Sequence, residues 1–199
     1  MATPSTHPNQ DIRFYWLVAF VTAIVLVGIF LSKPAPESVK LQIEEQYAKR
    51  AHGILSKDIR PVLDVLAPGF TQKYITGQTT DRVAWEGALQ GRFDSMKADE
   101  NRAKSNGGQW KNPESVSTVI QTITSSGSTA TVKAITKTTT SAAYPGGLSY
   151  AATFEETSED TWVKTAIGWR LQTTEQLRNR ITTDEMKSKQ PAKAQPNSK

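Results

Sequence analysis

Around Gly108 the hydrophobic period of this chain changes, and that switch limits its architecture more than any other feature. Upstream, apolar residues recur three and four positions apart, the spacing of one helix face. Downstream they alternate with polar residues, the spacing of a strand with one covered face. Helices first and antiparallel strands second predict an α+β domain, with the helices packed on one face of the sheet.

"KPAPES", Lys33 to Ser38, is a proline-spaced linker that hands over to the first helix. Ser38 is the expected N-cap, and Val39, Ile43, Tyr47, Ala51 and Ile54 form its apolar face. Asp58 is the expected cap of a second short helix, with Pro61 in its first turn and Val62, Leu63 and Leu66 inward. "APGF", Ala67 to Phe70, is expected to stop it. "TGQTTD" forms a loop ending at Asp81, a further cap. A third helix carries Trp85, Ala88, Leu89, Phe93 and Met96. Its end is blurred by the polar run Lys97 to Gly108.

Four strands are then expected. Val116, Thr118, Ile120 and Thr122 alternate with polar partners up to a turn at Ser125 to Gly127. "STATVKAITKTTT" is rich in β-branched residues. After the turn "YPGG", residues Leu148, Tyr150, Ala152 and Phe154 share one side of a strand running toward Trp162. The small polar bend Thr165 to Gly168 leads into the last strand, with Trp169 and Leu171 on one face and Arg170 and Gln172 on the other. Trp162 and Trp169 therefore flank a hairpin whose apolar face meets the helices.

Phe14 to Leu31 is an 18-residue run without a charge, bounded by Arg13 and Lys33. A helix of that length nearly crosses a hydrocarbon core of about 30 Å, and Tyr15 and Trp16 suit the headgroup level. A cleaved signal peptide is the competing reading. The weakly basic start, the length of the run and the lack of an A-x-A exit favour an uncleaved anchor over 14–32. A short tail (1–13) before it and a large domain after it suit a cytoplasmic N-terminus and a periplasmic or extracellular domain. The linker takes 33–37, the domain 38–180 and a disordered basic tail 181–199.

The net charge of +5 does not point to nucleic acid. Between Glu37 and Thr183 there are 18 Lys+Arg against 16 Asp+Glu, while Met186 to Lys199 holds four lysines and no acid. A tail of that composition cannot bury enough apolar surface to fold. Neither a basic face with interleaved aromatics nor a groove-reading helix is evident. The absence of cysteine removes disulfides, thiol chemistry and lipoprotein acylation.

The order of "KDIRPVLDVLAPGF", "TTDRVAWEGAL", a run of strands and "EDTWVKTAIGWRLQ" resembles the SnoaL-like branch of the nuclear-transport-factor-2-like superfamily, over roughly Glu37 to Leu177. The resemblance implies a curved antiparallel sheet of four to six strands wrapped around the helices as a cone with an internal cavity. The superfamily includes ketosteroid isomerase, polyketide cyclases, dehydratases, epoxide hydrolases and non-catalytic association modules, so the fold does not choose the function. Gly69 stands where such proteins often place an acid. The anchor is similar to that of membrane-tethered assembly factors of type IV secretion systems.

Acid–base chemistry in a cone needs a carboxylate or histidine inside it. The candidates are His52, the only histidine of the domain, and Asp64 beside the inward stripe. The plainer account makes His52 a solvated residue near a helix end and leaves Asp64 on the outer face. Glu155, Glu156, Glu159 and Asp160 have the look of a solvated bend and lack metal-ligand spacing. Transition-metal and nucleotide sites have no supporting motif, and no cofactor is expected. Tyr47, Phe70, Tyr74, Trp85, Phe93, Tyr150, Phe154, Trp162 and Trp169 are first the expected filling of the core and second the candidate pocket lining.

These readings converge on a membrane-anchored, non-catalytic module that holds a small apolar ligand or docks as a subunit of an envelope complex. The alternative is an isomerase, cyclase or hydratase acting in the cavity. Lys133, Lys137 and the threonines between them are expected on the outer side of the sheet, where a second copy would pair. Sedimentation of the domain lacking residues 1–33 should therefore give a dimer, and a strictly monomeric species rejects that pairing.

Overall fold

A computed structural model describes residues 36–145 and 148–188. The expected anchor at 14–32, most of its flanking tail and linker, residues 189–199, and Gly146 and Gly147 of the "YPGG" turn lie outside the described residues. Among the described residues no helix is long and apolar enough to cross a membrane.

Helix α1 spans Glu37–Ser56 and buries Ile43, Tyr47 and Gly53. Ser38 does not cap it. Pro36 holds the cap position, and its carbonyl accepts from the amides of Val39 and Lys40 at 2.9 and 3.2 Å, so Ser38 falls inside the first turn. Lys57, at φ 52°, closes the other end in the left-handed region, with its amide toward the Gly53 and Ile54 carbonyls. Helix α2, Ile59–Val65, begins at Asp58 as expected, the carboxylate accepting from the Arg60 amide. Gly53 is what lets α1 and α2 meet this closely. A Cβ there would lie 2.6 Å from Val62 Cγ2 and 3.0 Å from the Asp58 carbonyl.

"APGF" does not end α2 in a loop. It belongs to strand β1, Leu66–Lys73, which pairs antiparallel with a short β2, Thr79–Asp81, and parallel with the last strand, β6, Gly168–Ser188. Pro68 and Gly69 suggest a turn because neither suits a regular ladder. Here they sit where the β1–β6 register shifts between Leu66 and Thr71, and the Gln172 amide donates to the Gly69 carbonyl at 2.7 Å. Asp81 caps helix α3, Arg82–Ser105, by accepting from the Ala84 amide at 2.9 Å. The helix continues through the polar run after Met96, and Arg102 and Lys104 in its last turn suit the negative end of the dipole.

The remaining strands form a meander: β3 (Gln109–Ser126), β4 (Thr129–Ala143), β5 (Leu148–Thr165) and β6. The sheet is curved and unclosed, in the order β2-β1-β6-β5-β4-β3. The expected purely antiparallel sheet is therefore corrected to a mixed one, because α2 delivers β1 alongside β6 in the same direction. The domain boundary also moves. Residues 181–188, assigned from composition to a disordered tail, extend β6, with Ile181 facing Phe154 and Thr182 facing Thr153 in register. Of the expected outer face, Lys133 and Lys137 are exposed, but Thr136 between them faces inward.

Helices and sheet meet over Ile43, Tyr47, Val62, Val65, Phe70, Trp85, Ala130, Val132, Trp162, Trp169 and Leu171. Trp162 is fully buried opposite Leu171 in the β5–β6 hairpin, and Trp169 is 2 % exposed. The hairpin turns through Gly168 at φ 108°, where Thr165 Oγ1 donates to the Gly168 carbonyl at 2.8 Å. Gly53→Ala is expected to lower stability by about 1–3 kcal/mol through overpacking, despite alanine's better helix propensity. Gly87→Ala, on α3 with nothing within 4 Å of the added methyl, should instead gain up to about 1 kcal/mol. Urea denaturation of the two variants checks both signs.

Candidate functional site

Beyond the packed part of the core, α1, α3 and the inner sheet face leave a cavity of about 230 Å³. Helical spacing selects its upper wall. Tyr47, Arg50, Ala51 and Ile54 come from one face of α1, and Trp85, Ala88, Leu89, Arg92, Phe93 and Met96 from one face of α3. Strand alternation selects the floor: Val116 and Thr118 on β3, Thr136 and Thr138 on β4, and Phe154 and Glu156 on β5. Gln72, Tyr74 and Gln176 complete it beside β1 and β6. Small side chains at Ala51, Ala88, Val116, Thr118, Thr136 and Thr138 leave room that larger ones would fill.

Of the nine aromatic candidates, Tyr47, Tyr74, Trp85, Phe93 and Phe154 line this cavity. Phe70, Trp162 and Trp169 pack in the solid core instead. Phe70 stands edge-on to Trp85 at 5.4 Å between centroids, and Tyr47 edge-on to Trp162 at 5.1 Å. Tyr150 is half-buried and away from the lining.

The two acid–base candidates are not in the cavity. His52 is exposed on α1, off the 47-50-51-54 face. Asp64 is exposed and ion-paired with Lys49 at 3.0 Å. Two acids read as a solvated bend take their place. Glu155 to Asp160 lie within β5, so Glu156, two residues beyond Phe154, points inward with it. Asp160 is 1 % exposed, behind Tyr47. Alternation from Phe154 through Glu156, Ser158 and Asp160 to Trp162 was the signal available in the sequence, overridden by the density of charge.

Their environment is specific. Tyr47 donates its hydroxyl to Asp160 Oδ2 at 2.5 Å and accepts from the Trp162 indole at 3.4 Å. Burial raises the Asp160 pKa, opposed first by the nearby Arg50 charge and then by the Tyr47 hydrogen bond. Burial and the Asp160 charge together push the Tyr47 phenol well upward. Glu156 is also raised, mainly by burial, with Arg50 opposing and Asp160 reinforcing. The Gln176 amide donates to Glu156 Oε2 at 2.6 Å. Asp160 Oδ1, Thr174 Oγ1 and Arg50 Nε are buried without a hydrogen-bond partner among the described residues. No group of three or more His, Asp or Glu is arranged there to hold a metal.

The result is a partly open cavity of mixed lining under a curved sheet, with one carboxyl and two guanidiniums on its wall. No protein-family model and no curated protein matches the sequence. Solved structures do match the fold. A protein of Novosphingobium aromaticivorans, provisionally assigned as a scytalone dehydratase, aligns at 14% identity and TM-score 0.51, covering 78% of this chain and 94% of its own. A conserved protein of Planctomyces limnophilus aligns at 9% and 0.52, covering 75% and 100%. A provisionally assigned dehydratase of the NTF2-like family from Streptomyces avermitilis aligns at 11% and 0.48, covering 71% and 96%. At these identities the likeness is one of fold alone, a curved sheet packed against helices.

The raised Glu156 gives a pH signature. A carboxyl whose pKa rises on folding binds more protons folded than unfolded between its two pKa values, so folding weakens as pH climbs through that window. Glu156→Gln should therefore gain stability over the parent as pH rises from the ordinary glutamate range through the raised value. The gain should vanish in acid. Paired urea titrations from pH 4 to 8 measure the difference, and a pH-independent difference contradicts the assignment.

Proposed function

We propose that this chain is a membrane-anchored binding cone whose cavity holds a compact, largely apolar small molecule. The observation that carries the reading is the cavity itself, about 230 Å³, walled by Trp85, Leu89, Phe93, Met96 and Phe154 and open at one margin. That volume is below the range of about 300–1,000 Å³ for drug-sized ligands, which favours a molecule of one or two rings. The uncharged run Phe14–Leu31 supports the anchor and a domain held at a membrane face.

Native mass spectrometry of the full chain extracted from membranes tests both parts. A retained small molecule is expected, and Ala88→Trp, which adds an indole at the exposed margin of the cavity, should lose it. Recovery of the chain in the soluble fraction overturns the anchor. A bare chain that also takes up no added hydrophobic compound overturns the pocket.

Catalysis by an isomerase, cyclase or hydratase is favoured by one observation: Glu156 stands in the cavity wall with its pKa raised by burial, as a general acid or base requires. On that reading Glu156→Gln abolishes turnover while leaving ligand retention intact.

A further inference from the structure

We infer that the ligand of this cavity carries a carboxylate, received between Arg50 and Arg92, with its apolar body against the aromatic wall. The inference rests on the binding reading above and narrows it to a chemical class.

Arg50 and Arg92 project from two different helices into one cavity, each on the same helical face as the apolar lining. Arg50 is half-buried and Arg92 stands at the exposed margin of the cavity; withdrawing a guanidinium from water without a partner is costly. Neither guanidinium forms an ion pair within 4 Å among the described residues, although Lys49, Lys57, Arg60, Lys73 and Lys137 do. Arg50 Nε is buried with no acceptor.

The other titratable groups facing the pair do not satisfy it. Glu156, on the floor, is held through Oε2 by the Gln176 amide rather than by either arginine. Both arginine charges oppose the rise that burial imposes on it, and a single carboxyl balances at most one of the two cations. Asp160 is turned toward Tyr47, behind the lining. Tyr47 and Tyr74 complete the ionisable lining, with no lysine or histidine. The wall therefore presents two planar guanidiniums against one carboxyl, beside an apolar patch of Trp85, Leu89, Phe93, Met96 and Phe154.

That combination selects among anions. A planar carboxylate matches guanidinium geometry with two parallel hydrogen bonds. A phosphate dianion would bring a second charge toward Glu156 and carries no apolar body for Trp85, Phe93 and Phe154 to cover. A neutral hydrocarbon ring would leave the buried Arg50 Nε without an acceptor.

The test compares 3-phenylpropanoate with 3-phenylpropanamide, which share a shape and differ in charge. Their Kd values for the full-length chain are measured by calorimetry at neutral pH, with inorganic phosphate as competitor. The acid should bind about tenfold or more tightly than the amide, the scale of one charge-assisted hydrogen bond. Arg50→Met and Arg92→Met should each bring the ratio toward one while changing the amide's Kd little. Should Arg50→Met fail to fold, the exposed Arg92 carries the comparison alone. Equal binding of acid and amide by the parent chain overturns the carboxylate and leaves the pocket standing. Displacement of the acid by phosphate at similar concentration also overturns it. Binding of neither compound at millimolar concentration overturns the pocket reading, and this inference with it.

Discussion

The contact that everything else in this domain leans on is the crossing of α1 over the β5–β6 hairpin. There Tyr47 meets Trp162 edge-on, and its hydroxyl is shared between the Asp160 carboxylate and the Trp162 indole. Asp160 is wholly enclosed, and a buried carboxylate with no donor is among the least tolerable groups in a protein interior. The Tyr47 hydroxyl that donates to Asp160 comes from a residue 113 positions away in the chain. The hydrogen bond therefore does more than add stability. It also fixes which face of α1 looks at β5, since Tyr47 must lie over Asp160 and Trp162.

That orientation has consequences along the helix. Arg50, Ala51 and Ile54 lie one to two turns beyond Tyr47 on the same face, so the orientation that satisfies Asp160 also turns them to the cavity. On the other wall, Asp81 starts α3 and the Arg82 guanidinium donates to the Leu66 and Ala67 carbonyls at 3.0 Å, tying the helix to the start of β1. With both helices held this way, the packed zone around Trp162, Trp169 and Phe70 becomes solid. The space under Trp85, Phe93 and Met96 stays open, because alanines and threonines face one another across it. Core and cavity are two outcomes of one arrangement, decided by side-chain volume along the same stripes.

The electrostatics of the cavity follow from who satisfies whom. Asp160 is answered by Tyr47 and Glu156 by Gln176, both short-range and neutral partners. Those pairings leave Arg50 and Arg92 to the cavity and keep the two acids away from full ion pairing. Burial raises the pKa of both acids against the opposing charge of Arg50, while the arginines keep their charge, so the wall carries two guanidiniums and the one carboxyl of Glu156. The exposed acids and bases elsewhere, such as Lys49 with Asp64, pair at the surface and take no part in it.

By itself the sequence determined the α+β order, the three helices, the caps at Asp58 and Asp81, and the inward tryptophans of the last hairpin. Each of these depends on local periodicity or on a side chain bonding its own neighbouring backbone. Strand β1 was not legible, because Pro68 and Gly69 are admitted to the sheet only by a register shift against β6, a partner about a hundred residues away. Nor was the site. Arg50, Arg92 and Glu156 sit on faces that periodicity could have assigned inward, but a charged residue in a stripe is ordinarily a solvated one. Only tertiary packing supplied the enclosure and the distant donors that make such placements tolerable, since burial and pairing are properties of what the rest of the chain brings alongside.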